Sequence, residues 1–167
     1  MYLNVNEAYS KFDSKLAKEE KDDCFVRSLA VASGSDYQSA HQFVKDEFGR
    51  EDKKGTSNFS IYANMLRYEE EGMTIGNSKC EVKVLGKSRI KNQYKLKGEI
   101  ILRQKTISSF IKDNPKGTYI VGVAKHALTI KDGEVFDWNV NKFKPTRKVQ
   151  SAYEIKSKKS EAQLSLF

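Results

Sequence analysis

At Gly72 the spacing of apolar residues changes. Before it, Tyr37, Ala40, Val44 and Phe48 recur at three- and four-residue steps, as do Phe59, Tyr62, Ala63 and Leu66. Such spacing lays one apolar stripe along a helix. After it, segments such as "CEVKVLG", "YKLKGEIIL", "GTYIVGVA" and "HALTI" alternate or run apolar in the manner of strands. Helices first and strands second predict an α+β domain, with N-terminal helices packed against a C-terminal antiparallel sheet.

Turn and cap residues divide the two halves. "NEAYSKFDSKLAKEEK" carries Ala8, Phe12 and Leu16 at four-residue steps, which predicts a first short helix. "DDCFVRSLAVASG" reads as an apolar helix stopped by Gly34, with Asp23 a candidate cap. The next helix starts from Ser35 or Asp36 and ends at Gly49, and a third ends at Gly72. "TISSFIKDNPKG" predicts a short helix begun by Thr106 and ended at Asn114–Pro115. "KDG" is a turn between "HALTI" and a last strand, "EVFDWN". The polar stretch from 151 onward, beginning "SAYEIKSKKSEA", reads as a flexible charged tail, which sets the domain at 1–150 and the tail at 151–167.

Composition narrows the setting. The chain has 167 residues, enough for one real core. No apolar run reaches the length of a membrane span, and the N-terminus lacks a signal pattern. Cys24 and Cys80 are the two cysteines, with neither disulfide nor metal spacing, which suits a reducing cytoplasm. No cofactor is expected. The net charge of +8 is concentrated in "KCEVKVLGKSRIKNQYKLKGEIILRQK" and near the end. Two readings stand for it: a surface for DNA, or solvated strand faces.

Three residue types suggest chemistry. Cys24 lies at the predicted start of a helix, where the dipole and unpaired N–H groups favour a thiolate. A nucleophilic cysteine needs a base. Of the two histidines, His41 is expected at a boundary or surface, and His126 opens a late strand. The following strand brings Asp137, with Asn139 as a second choice, to orient the imidazole. Trp138, on the opposite face, is expected to cover the core or shield the pair, and Cys80 to pack within a strand.

In this order, "DCFVRSLA" (23–30), the loop "KKGT" (53–56) and "KGTYIVGVAKHALTIKDGEVFDW" (116–138) resemble the papain-like cysteine peptidase superfamily, most closely small members from bacteria and their phages. The resemblance implies Cys24 as nucleophile, His126 as general base and Asp137 as the orienting acid. It also implies a glutamine before the cysteine for the oxyanion hole. "LAKEEKDD" offers none, and Asn4 and Asn6 are the upstream amides. Asp22 and Asp23 add negative charge beside the thiol, which opposes thiolate formation. An active hydrolase and an inert binding module of the same fold are both compatible with these residues.

The final five residues, Gln163, Leu164, Ser165, Leu166 and Phe167, resemble the pentapeptide by which bacterial polymerases and repair proteins bind the β sliding clamp. Three apolar side chains would enter a cleft, each worth roughly 1.5–3 kcal/mol before costs. Ordering the tail consumes much of that, which leaves about micromolar docking. The resemblance implies a protein of the bacterial cytoplasm, encoded by a phage and acting at the host replisome.

Overall fold

The structure is a computed structural model and describes residues 5–6, 14–138 and 143–158. The N-terminal half is helical: α1 (Lys15–Glu19), α2 (Cys24–Ser33), α3 (Tyr37–Phe48) and α4 (Asn58–Glu71). Their starts obey local chemistry. Ser14, Asp36 and Ser57 each accept a first-turn N–H, from Ala17, Ser39 and Ser60. Gly34 and Gly49 close α2 and α3 with φ of 74° and 70°, a left-handed conformation that costs glycine little.

The strands follow. They are β2 (Met73–Ile75), β3 (Ser78–Val84), β4 (Lys91–Leu96), β5 (Glu99–Gln104), β6 (Thr118–Val123), β7 (His126–Lys131), β8 (Glu134–Phe136) and β9 (Ser151–Lys158). With β1 (Val5–Asn6) they make a seven-stranded sheet, ordered β1-β8-β7-β6-β9-β3-β2, and a separate β4–β5 ribbon. Every pairing in the large sheet is antiparallel except β1 with β8. Helices α5 (Lys87–Ile90) and α6 (Ile107–Asp113) flank the ribbon in sequence.

The sheet separates two cores. On one face Val26, Leu29, Ala40, Val44 and Met65 of the first helices pack with Ile120, Tyr153 and Ile155. On the other, Ile90, Ile107 and Phe110 pack with Val121, Leu128 and Ile130. Alternate residues of one strand therefore serve opposite layers, as the pleat requires. The expected α+β order, helices first and an antiparallel sheet after, is what the chain adopts. No helix among the described residues is long and apolar enough to cross a membrane.

Four expectations are corrected. The segment 151–158 is not tail: β9 lies between β6 and β3, with Ala152, Tyr153 and Ile155 buried. The folded unit thus includes residues up to at least Lys158, because β6 and β3 pair with the two edges of a strand whose lysines crowd its far end. The buried side of α4 is Ile61, Met65 and Tyr68, whereas Phe59, Tyr62 and Leu66 are exposed. Apolar residues occur on both arcs of that helix, and contact with β3 selects one. The first helical segment is limited to α1 among the described residues; Ala8 and Phe12 lie outside them, and Val5–Asn6 form a strand. His41, expected near the surface, is 5% exposed.

Candidate active site

Helix α2 is fastened to β7 by polar bonds through Ser28. Its hydroxyl donates to the Cys24 carbonyl at 2.7 Å, and its own carbonyl accepts from Thr129 Oγ1 at 2.8 Å. The Trp138 indole donates to Ser28 Oγ at 3.2 Å and to the Ala127 carbonyl at 3.0 Å. These bonds hold the first turn of α2, which carries Cys24, against the first residues of β7. Trp138 thus covers the core and locks helix to strand, consistent with the expectation for it.

His126 follows a two-residue turn, Ala124–Lys125, in which Lys125 has φ of 57°. Arg147 donates to the Ala124 carbonyl and so secures that turn from outside. The His126 ring meets Asp137 with Nε2 and Oδ1 2.7 Å apart. Asp137 is 1% exposed and follows directly after β8, whose pairing with β7 brings it alongside His126. With Nε2 engaged there, Nδ1 is the ring nitrogen left to face a partner, and Cys24 lines the same cleft as the ring.

Burial, the largest influence on His126, lowers its pKa. Hydrogen bonds to Asp137 and Cys24, together with the charge of both, outweigh it and raise the pKa to about 9. At neutral pH the ring is therefore an imidazolium between a carboxylate and a sulfur. Cys24, on α2, thus shares its cleft with a His126–Asp137 pair more than a hundred positions away in sequence. Asn139, the second choice for the orienting residue, lies outside the described residues, as do Gln163, Leu164, Ser165, Leu166 and Phe167.

The acidic pair before Cys24 behaves differently from the sequence expectation. Asp22 takes a left-handed turn with φ of 52° and lies at the cleft. Asp23 precedes the helix, yet its carboxylate does not cap it. Oδ2 instead accepts from Arg27 Nε at 2.9 Å and from the Tyr37 hydroxyl at 2.6 Å. Arg27 also reaches the Ala17 carbonyl and stacks over the Tyr37 ring. Burial and then Asp23 drive the Tyr37 phenol well above its usual range, so it stays a donor. The charge of Asp23 is thereby directed into an ion pair and away from the thiol.

Cys24 and His126 open onto a cleft of about 580 Å³. Gly55, Thr56, Asn58 and Tyr62 line one side, and Gly122 and Gln150 another. Asn58 and Gln150 are amides that reach the cleft from positions after the cysteine. Thr56 Oγ1 is buried with no hydrogen-bond partner among the described residues. A Cβ at Gly122 would stand 2.4 Å from Ser151 Oγ, so a larger residue there requires that hydroxyl to move.

Sequence reasoning missed the support beneath this wall. Glu20 accepts from Arg50 Nη1 at 3.2 Å, lies 2.6 Å from His41 Nε2, and receives the Lys53 N–H at 2.6 Å. Burial opposes ionisation of Glu20, but Arg50, His41 and the Lys21 amide more than compensate and bring its pKa to about 2. The cluster ties the 50–56 loop to the residues before α2. Glu20, His41 and Asp52 could offer ligand atoms to a cation, but the buried Arg50 guanidinium and Lys45 already occupy their carboxylates. Its signal in sequence was a histidine beside inward-facing Ala40. Cys80, as expected, is buried in β3, and burial pushes its thiol pKa up. Comparison of the chain with protein-family models, with curated proteins and with solved structures finds no match.

Proposed function

We propose that this chain is a papain-like thiol hydrolase acting on an acyl bond of the peptide or amide kind. The observation that carries the reading is that Cys24 and His126 line one cleft, with Asp137 2.7 Å behind the ring. The Cys24 sulfur attacks the acyl carbon, and His126, as imidazolium, gives its proton to the departing amine. Water then attacks the thioester; His126 takes its proton, and the thiol is released with the acid product. Because Asp23 leaves the α2 N-terminus uncapped by its side chain, the first N–H groups of that helix are available to a developing oxyanion. They offset the missing upstream glutamine.

The test uses a p-nitrophenyl acyl ester. Wild type releases a burst near one equivalent, and mass spectrometry finds one acyl group on Cys24. Cys24→Ala and His126→Ala abolish the burst if the proposal holds. Acylation of both cysteines alike, or none, defeats it and leaves an inert module of the same fold.

A second observation, the terminal Gln163–Phe167 pentapeptide, supports docking on the bacterial sliding clamp, which would deliver the domain to a phage host's replisome. Removal of 163–167 leaves β9 complete, and unchanged Cys24 alkylation of the shortened chain separates loss of the motif from loss of the fold. Clamp pull-down is expected to vanish on that deletion and to survive Cys24→Ala. Retention after the deletion eliminates the docking role.

A further inference from the structure

The basic middle of the chain begins on β3 of the large sheet, and its greater part leaves that sheet to form the β4–β5 ribbon. Lys91, Lys95, Lys97 and Arg103 stand there against a single carboxylate, Glu99. The strands pair from Lys91↔Gln104 to Leu96↔Glu99, with Lys97 and Gly98 as a two-residue turn. Both turn residues have positive φ, 50° and 81°, as that tight turn requires. The root is fixed by the Lys105 N–H to the Ile90 carbonyl and by Asn92 to Ser109 of α6. Beyond the root both faces are wet: Tyr94, Leu96, Ile100 and Leu102 are all exposed, Ile100 by 67%. A two-stranded ribbon has little stability of its own, so one held out by the fold is placed for a partner.

We propose that the β4–β5 ribbon binds double-stranded DNA by entering its major groove. A groove about 12 Å wide admits a two-stranded ribbon, and strands of six residues span roughly 20 Å. The cations lie on both faces and at the tip, where the phosphates of both groove walls can be met. Directly opposed residues share a face, so Asn92, Tyr94 and Arg103 project on one side and Lys91, Gln93 and Lys95 on the other. Gln93, Gln104 and the exposed apolar side chains suit base edges and thymine methyls. A second copy of the ribbon would bring like charges together. Single-stranded nucleic acid is met by several stacking aromatics, and the ribbon has one, Tyr94, partly covered by Arg103 5.7 Å from its centroid. The deep, narrow major groove of an RNA duplex does not admit it. The ribbon rises from the α5–α6 layer, on the sheet face opposite α2, so this inference stands apart from the thiol site.

The experiment is fluorescence anisotropy of the full chain with a labelled mixed-sequence 20-bp DNA duplex at 50 and 200 mM NaCl. Each phosphate contact contributes about 0.9 to the slope of log affinity against log salt. The variant Lys91→Gln, Lys95→Gln, Lys97→Gln, Arg103→Gln is expected to flatten that slope by about 3 to 4 and to weaken binding at 50 mM more than tenfold. The double variant Lys95→Gln, Lys97→Gln, both exposed, repeats the measurement with less change and flattens it by about half as much. Unchanged Cys24 alkylation in both shows an intact fold. Binding and slope that both variants leave intact overturn the proposal. So does equal affinity for single-stranded DNA or an RNA duplex, or binding only to an acidic polypeptide such as poly-Glu. Cys24→Ala leaves DNA binding unchanged, so the hydrolase reading and this one fail separately.

Discussion

Asp137→Asn removes one charge from a site 1% exposed and leaves the side-chain shape almost unchanged. In the wild type His126 titrates at about 9 against an ordinary 6.5. That displacement corresponds to roughly 3 kcal/mol in favour of the imidazolium. Burial alone acts the other way, and Asp137 is the larger of the two partners that overcome it. Without its charge the His126 pKa is expected to fall, leaving more of the ring neutral at pH 7. The sign for stability follows. A raised pKa contributes fully below about 6.5 and is lost as pH rises through about 9. The wild type therefore loses up to roughly 3 kcal/mol across that window, and the variant shows a flatter profile. The assay is proton NMR of the imidazole Cε1–H signals, uncrowded because the chain has only two histidines. A His126 that still titrates near 9 in the variant would refute the reasoning, since its protonation would not depend on Asp137.

Glu20→Gln leaves the Arg50 guanidinium, whose side chain is 0% exposed, without its carboxylate and should cost about 3–5 kcal/mol in urea unfolding. The wild-type carboxyl, with its pKa lowered to about 2, contributes stability above about 4.5 that fades as pH falls through 2; this acid-side loss should shrink in the variant. Gly122→Ala sets a Cβ 2.4 Å from Ser151 Oγ and is expected to cost about 1–3 kcal/mol. Adding Ser151→Ala, whose Cβ is 3.7 Å away, should restore most of it; no rescue means the strain lies elsewhere. Met65→Ala, at a site 0% exposed, should lose about 2–5 kcal/mol, whereas Phe59→Asp, 83% exposed, should stay within about 0.5 kcal/mol of wild type. The reverse order would mean that α4 faces the core with its other side.

Local chemistry in the sequence located most elements. Gly34, Gly49 and Gly72 stopped helices where the chain does, Thr106 began α6, and the Asp132–Gly133 turn joined β7 to β8. Cys24, His126 and Asp137 were legible because each sits at the end of an element whose type the apolar pattern reveals. What failed needed the third dimension. On α4, apolar residues occupy both arcs, and only packing against β3 distinguishes them. In β9 the charged residues Glu154, Lys156 and Lys158 mask the buried Ala152, Tyr153 and Ile155, yet two neighbouring strands make it internal. His41 reads as a boundary or surface residue until Glu20 and Arg50 are placed beside it, Glu20 lying 21 positions from His41 and 30 from Arg50. Asp23 looked like a cap because its true partners, Arg27 and Tyr37, are brought to it only by the α2–α3 packing.

The account rests on His126 activating the Cys24 sulfur, and competitive alkylation reads that directly. With trace iodoacetamide at pH 7, mass spectrometry of the native protein should find Cys24 modified at least a hundredfold faster than buried Cys80. His126→Ala should slow Cys24 by more than tenfold and leave Cys80 unchanged. If Cys24 reacts no faster in the wild type than in His126→Ala, the thiol is an ordinary one and the catalytic reading is wrong.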